Sequence, residues 1–231
     1  LQQRREEVTA LIDAQNKLTE ELSAAIQNAA TLAEVEDLYR PYKQKRRTRA
    51  TVAKEKGLEP LAQLAYALKT PAVDMEQAAQ DYIDPEKGVE TVQDALQGAS
   101  DIIAEWISDD AEVRKMLREL YLRRGMLVSR AAAKEPEDSV YRLYYEFKCP
   151  VGRVQGYQTL AINRGEREDI LKAGVELAPE TAHISVRRMT VPNRAAMEFV
   201  RAAADDAYDR LLQPSLEREI RAYLTDQANE G

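Results

Sequence analysis

Residues 39–62 read YRPYKQKRRTRATVAKEKGLEPLA. Between Arg40 and Lys54 stand seven cations, Arg40, Lys43, Lys45, Arg46, Arg47, Arg49 and Lys54, and no carboxylate. The same stretch sets the local fold. Upstream, Thr31 opens TLAE, a capping box with Glu34 at the third helical position, and Pro41 excludes helical backbone at Arg40, so a helix is expected to stop there. Downstream, Thr48 or Thr51 caps a short helix that ends at Gly57. GLEP then restarts a helix, with Pro60 in its first turn and Leu61, Leu64, Ala65 and Leu68 on one face. The spacing of Ala53 and Gly57 is that of a helix-turn-helix. Its second helix offers only Gln63 and Lys69 amid apolar residues, so a packing unit is expected rather than a reader of base edges.

Around this basic knuckle the chain is acidic. Over 231 residues, 33 Lys and Arg face 40 Asp and Glu, a net charge of -7. Setting the seven cations aside leaves 26 against 40, or -14, so any contact with a polyanion must be local. Hydrophobic residues make up 44% and charged residues 32%, with 9 Gly, 9 Pro and 2 Phe, a composition that suits a mostly helical protein and argues against disorder. Apolar runs fall well short of the roughly 20 residues of a membrane helix. Leu1 to Leu11 carries charges where a signal peptide is apolar, and a cytoplasmic protein is expected. The single cysteine, Cys149, excludes an internal disulfide and fits a reducing compartment.

The rest of the chain is expected to be mainly α, a multi-helical scaffold with the helix-turn-helix-like unit and a small antiparallel β element. Asp74 with Gln77 offers a cap, Leu96, Ala99, Ile103 and Trp106 form a helical stripe, and Asp109 or Asp110 starts a helix that Gly125 ends. DSVYRLYYEFKCP fits both periods; a helix capped by Ser139 and ended before Pro150 is favoured. At 157–177 two apolar runs flank Asn-Arg-Gly, which reads as a hairpin, with 182–186 a candidate third strand. Phe199, Val200, Ala203, Ala207 and Leu211 form a stripe that Pro214 breaks before Leu216, Ile220 and Leu224. The expected divisions are 1–70, 71–135, 136–192 and 193–231, with no internal repeat.

Chemistry finds few assembled groups. His183 is the only histidine, which removes a histidine-rich metal site and leaves Cys149 with His183 as the sole thiol-protease pair; both read better as structural residues. Asp109 and Asp110 sit where a cap belongs, and Asp205 and Asp206 lie on the polar side of the Phe199 stripe. GRVQG around Gly152 and Gly156 lacks the pattern of a phosphate loop or dinucleotide fingerprint. Tyr141, Tyr144 and Tyr145 could stack bases, but burial explains their spacing better. No enzyme activity, metal or cofactor is expected.

LAEVEDLYRPYKQKRRTRATVAKEKGLEPLA, followed by ASDIIAEWISDDAEVRKMLRE and LAINRGERE, resembles the N-terminal part of the bacterial Tex family of transcription accessory proteins. The resemblance covers nearly the whole chain. It implies an excised fragment of a larger molecule that continues into an RNase H-like domain, a helix-hairpin-helix unit and an OB-fold RNA-binding domain, and it agrees with a helix-turn-helix-like region in the family. The expected function is a non-enzymatic scaffold that contributes sequence-independent contact with RNA or DNA in transcription. Lys43, Lys45, Arg46, Arg47, Arg49 and Lys54 are the candidate phosphate contacts. Two alternatives stay open: an arginine-rich joint paired internally with carboxylates, and a module that docks RNA polymerase or another transcription protein.

Overall fold

The computed structural model describes residues 1–44 and 46–231. Among these, helices dominate and one small sheet is present. Two compact units are formed, the first from Leu1–Lys115 with Val186–Leu211, the second from Met116–Ser185 with Leu212–Gly231.

The first unit begins with three helices, α1 (Gln2–Asp13), α2 (Glu20–Asn28) and α3 (Leu32–Tyr39). They close over a small core of Val8, Ile12, Ile26, Ala29 and Val35. The N-cap of α3 follows the sequence, with Thr31 accepting from the Glu34 N–H at 3.2 Å, while the Glu34 carboxylate accepts from the N–H of Ala30 at 2.7 Å. Helix α3 ends at Tyr39, yet Arg40 keeps right-handed helical backbone and opens a single 3₁₀ turn, Arg40–Tyr42. Pro41 removes one N–H and so stops the α-helix, but a 3₁₀ turn with proline in its first residues tolerates that loss.

Next come α4 (Arg49–Glu55) and α5 (Glu59–Tyr66), capped and joined as the sequence predicts. Thr48 accepts from the Thr51 N–H at 3.1 Å, and Gly57 takes the left-handed conformation, φ +80°, that closes α4. The inward face of α5 is Leu61, Ala62 and Ala65, with Leu58 before it; Leu64 and Leu68 are exposed. The helix is only two turns long and ends at Tyr66, so Leu68 falls in an extended segment bridged to Arg194 instead of on the helical stripe. Asp74 caps α6 (Met75–Ala79) by accepting from the Gln77 N–H.

At the centre lies α7 (Val92–Asp109), packed against α4, α5, α6 and α11 (Met197–Asp206). Thr91 and Asp94 form a reciprocal capping box at its start. Its buried residues include Ala95, Gly98, Ala99, Ile102, Ile103, Ala104 and Ile107. Leu96 and Trp106 are only half-buried. Small residues let neighbouring helices approach closely: a Cβ on Gly98 would lie 2.2 Å from Leu58 Cδ1 and 3.2 Å from Ala53 Cβ. The α4–α5 turn is thus seated on α7 by an absent side chain.

Asp110 accepts from the N–H groups of Glu112 and Val113 and caps α8 (Ala111–Arg124). In the second unit the chain then builds a sheet of order β2-β1-β3, antiparallel throughout: β1 (Met126–Ala131), β2 (Glu146–Pro150) and β3 (Leu171–Glu176). The expected class, mainly helical with a small antiparallel sheet, holds. Its placement differs in three ways. The favoured helix through 139–149 is one 3₁₀ turn, Arg142–Tyr144, followed by β2, because Phe147 and Cys149 point inward while Glu146 and Lys148 stay exposed.

The expected hairpin at 157–177 is not formed. Its first run is α9 (Gly156–Arg167), with Asn163, Arg164 and Gly165 inside the helix, and only the second run is a strand, β3. Thr159, Ile162 and Gly165 form the buried helical face, and a Cβ on Gly165 would lie 2.4 Å from Leu171 Cδ1, so that glycine serves close packing and not a turn. The reversal comes later, at Asp169, φ +59°. Residues 182–186 are helical too, within α10 (Pro179–Thr190), where Ala182, Val186 and Thr190 recur every fourth residue and are buried.

Pro214 does not separate two helices. After α11 the backbone winds as a π-helix, Ala207–Leu212, and resumes as α12 (Gln213–Glu230) with Pro214 in its first turn. A wide turn ahead of the proline accommodates its missing N–H and its ring. In the second unit α12 packs against α9 and β3, where Asn163 donates to Thr225 at 2.9 Å and Arg221 pairs with Glu166.

Candidate nucleic-acid interface

The basic knuckle joins the 3₁₀ turn after α3 to α4. Of its candidate residues Lys43, Arg46, Arg47, Arg49 and Lys54 are all exposed; Lys45 lies outside the described residues. Thr48 holds the joint in place. Its hydroxyl accepts from the Thr51 N–H and donates to Glu105 Oε2 at 2.9 Å, which ties the start of α4 to α7.

Arg47 makes a two-pronged pair with Glu55, at 3.0 and 3.2 Å, with both side chains more than half exposed (66% and 52%). Such a pair in water contributes about 0 to 1 kcal/mol. Lys43, Arg46, Arg49 and Lys54 form no ion pair among the described residues. Arg49 does contribute to the field at Asp101, a carboxylate on α7 whose pKa is raised by burial and held back by a hydrogen bond from Gln97 and by the charges of Arg210 and Arg49. The arginine-rich joint therefore has one carboxylate partner at its surface and one carboxylate nearby, while Lys43, Arg46 and Lys54 face solvent and Arg40 is half-buried.

Two cations of this region escaped the sequence reading. Residues 55–59, EKGLE, and 86–90, EKGVE, are copies of one short pattern. Both adopt the same turn: Gly57 at φ +80° and Gly88 at φ +86°, with Leu58 N–H bonded to the Ala53 carbonyl and Val89 N–H to the Asp84 carbonyl, each five residues back. Leu58 and Val89 are fully buried. The two turns face each other. A Cβ on Gly57 would lie 3.5 Å from Lys87 Nζ, and a Cβ on Gly88 would lie 3.4 Å from Lys56 Cε, so each lysine lies over the glycine of the other turn. The repeated EKG pattern was the available signal; its pairing is tertiary.

The other candidates resolve into packing. Tyr141 and Tyr144 are buried, Tyr144 meets Phe147 edge-on at 5.3 Å, and the Tyr141 hydroxyl donates to Glu168. Asp205 pairs with Arg187 and Asp206 with Arg210. Cys149 sits half-buried in β2, its thiol 3.6 Å from the Pro150 carbonyl oxygen, and His183 lies on α10. Among the described residues no group of three or more His, Cys, Asp and Glu is arranged to hold a metal, and no helix is long and apolar enough to cross a membrane.

Residues 70–231 match the family described as Tex central region-like. The chain belongs to the Tex family. It is 46% identical over 237 aligned positions to "Uncharacterized protein YdcI" of Bacillus subtilis, covering all of this chain and 32% of that protein. "Protein tex" of Bordetella pertussis is 38% identical over 183 positions, 77% of this chain and 23% of that one. "Transcriptional accessory protein Tex" of Neisseria gonorrhoeae is 33% identical over 186 positions, 80% and 24% respectively. The chain thus spans a third or less of the length of these Tex relatives, and its match to the family description begins downstream of the knuckle.

Proposed function

We propose that this Tex-family chain is a non-enzymatic scaffold that helps a transcription accessory protein hold nucleic acid in the cytoplasm, through sequence-independent contacts to the phosphate backbone. One observation carries this reading: on an acidic chain, Lys43, Arg46, Arg49 and Lys54 crowd one exposed joint without forming ion pairs among the described residues. Like charges held together in this way repel, and phosphates relieve the repulsion while releasing counterions. Base reading does not belong to the unit, because α5 turns Leu61, Ala62 and Ala65 inward against the protein. Titration of the chain into labelled DNA and RNA at increasing salt tests the proposal. Affinity that falls steeply with salt and is indifferent to sequence is expected; no binding at low salt contradicts it.

The docking reading has its own observation. Leu68 and Met197 are exposed beside a groove lined by Val73, Leu96 and Phe199, an apolar strip at the rim of α11. Retention of RNA polymerase by the chain after nuclease treatment, abolished by Leu68→Ser with Met197→Ser, would establish this surface as the working one.

A further inference from the structure

The two facing EKG turns lie at the end of α4 opposite to Arg46 and Arg47. The Arg47 guanidinium reaches along α4 to Glu55 of the first EKG turn, and the two ends of this 7-residue helix lie about 10 Å apart along its axis. That distance covers roughly three nucleotide steps along a duplex axis. Lys87 is exposed and Lys56 half-buried, and neither forms an ion pair among the described residues. Glycines at both turns take the left-handed backbone, φ +80° and +86°, that a side chain at 57 or 88 would strain, and each lysine lies at van der Waals distance from the Cβ position of the other turn's glycine.

A second feature bears on the kind of nucleic acid. Proteins that hold single strands without sequence preference stack bases on exposed aromatic rings. In the first compact unit Tyr39, Tyr42, Tyr66, Tyr82, Trp106 and Phe199 are each half-buried, Tyr208 is buried, and among the described residues no aromatic is exposed. Bases would find no platform here. Phosphates already ordered by a duplex need none.

We infer that Lys56 and Lys87 form a second phosphate anchor and that, with the knuckle at the other end of α4, they hold the backbone of a double-stranded nucleic acid. This rests on the phosphate-binding reading of the knuckle. The shared chemistry, a regular line of phosphates, is offered by duplex DNA and duplex RNA alike.

The test uses the 231-residue chain with labelled duplex DNA, duplex RNA and a single strand, each about 20 nucleotides long, over a range of salt. Lys56→Gln with Lys87→Gln is compared with Arg46→Gln with Arg47→Gln, and thermal melting confirms that both variants fold. Tighter binding of either duplex than of the single strand is expected, with the logarithmic salt slope flattened by roughly 1.8 in each double variant. If the lysine pair leaves the duplex slope unchanged while the arginine pair lowers it, the second anchor is wrong and the knuckle stands. Should the parent bind no nucleic acid, both fall. Single-strand binding tighter than duplex binding overturns the duplex assignment. Loss of folding in the lysine variant is met by Lys87→Gln alone, whose exposed side chain can be removed without opening the turn; a slope flattened by roughly 0.9 is expected, and an unchanged slope refutes the anchor.

Discussion

Arginine does opposite work in two parts of the first compact unit. At the rim of α11, Arg187 pairs with Asp205 at 2.6 Å, and Arg210 pairs with Asp206 at 2.9 Å and reaches Asp101 at 3.8 Å, with 25% of the Arg210 side chain and 10% of the Asp101 side chain exposed. At the knuckle, Arg46 and Arg49 are exposed and form no ion pair among the described residues, and the Arg47 pair is largely in water. The difference is burial of the partner. A carboxylate that α7 itself buries, Asp101, must be matched by a cation, so Arg210 is part of the fold. Arg46, in solvent, has no such duty and is available to a ligand, while exposed Arg49 lends Asp101 only its field.

The largest expected effect breaks the structural side of this contrast. Arg210→Ala removes the paired cation from Asp101 and Asp206 and should cost about 3 kcal/mol, read as a lower urea midpoint, whereas Arg46→Ala should change the midpoint hardly at all. Equal losses would show that the two regions do the same work. Next in size is the seat of the knuckle. Gly98→Val forces branched atoms into Leu58 and Ala53 and should cost about 1 to 3 kcal/mol, loosening the α4–α5 turn first in hydrogen exchange.

A smaller effect separates two carboxylates by sign. Burial raises the Asp101 pKa, so the folded state holds its proton more tightly than the unfolded chain, and the associated stability is present at low pH and lost as pH rises from the ordinary carboxylate range through the raised folded value. Glu34 is the reverse. The hydrogen bond from the Ala30 N–H, with help from Lys115, lowers its pKa, and its stability is present above the ordinary range and lost as pH falls through the depressed value. Asp101→Asn should therefore gain on the parent as pH rises above about 4, and Glu34→Gln should lose on it, in parallel melts across pH. The smallest effect is at Glu55. Glu55→Gln frees Arg47 from a surface pair, should shift stability by less than about 1 kcal/mol, and should tighten nucleic-acid binding by removing a negative charge beside the knuckle.

What could be read from the sequence was local chemistry. Thr31, Thr48, Asp74, Asp110 and Gly57 cap their helices as their side chains and backbone freedom require, and the exposed knuckle follows from cations between two capped helices. The sheet was not readable in this way. EFKCP fitted either period, and neither it nor MLVSRA is a strand by itself, because what makes them strands is mutual pairing across residues far apart in the chain. Asn-Arg-Gly looked like a turn because Gly165 permits one; its actual use, contact with Leu171, is tertiary. Lys87 was missed for the same reason, since only the folded chain brings Gly88 against Lys56.

The central claim is that the knuckle's cations serve a ligand and not the fold, and one double variant tests it most directly. Arg46→Glu with Arg47→Glu should keep the parent melting temperature while flattening the logarithmic salt slope for duplex binding by roughly 1.8, equally for all sequences. A melting temperature that collapses, together with a parent chain that binds no nucleic acid at low salt, would contradict the account and return the knuckle to the fold.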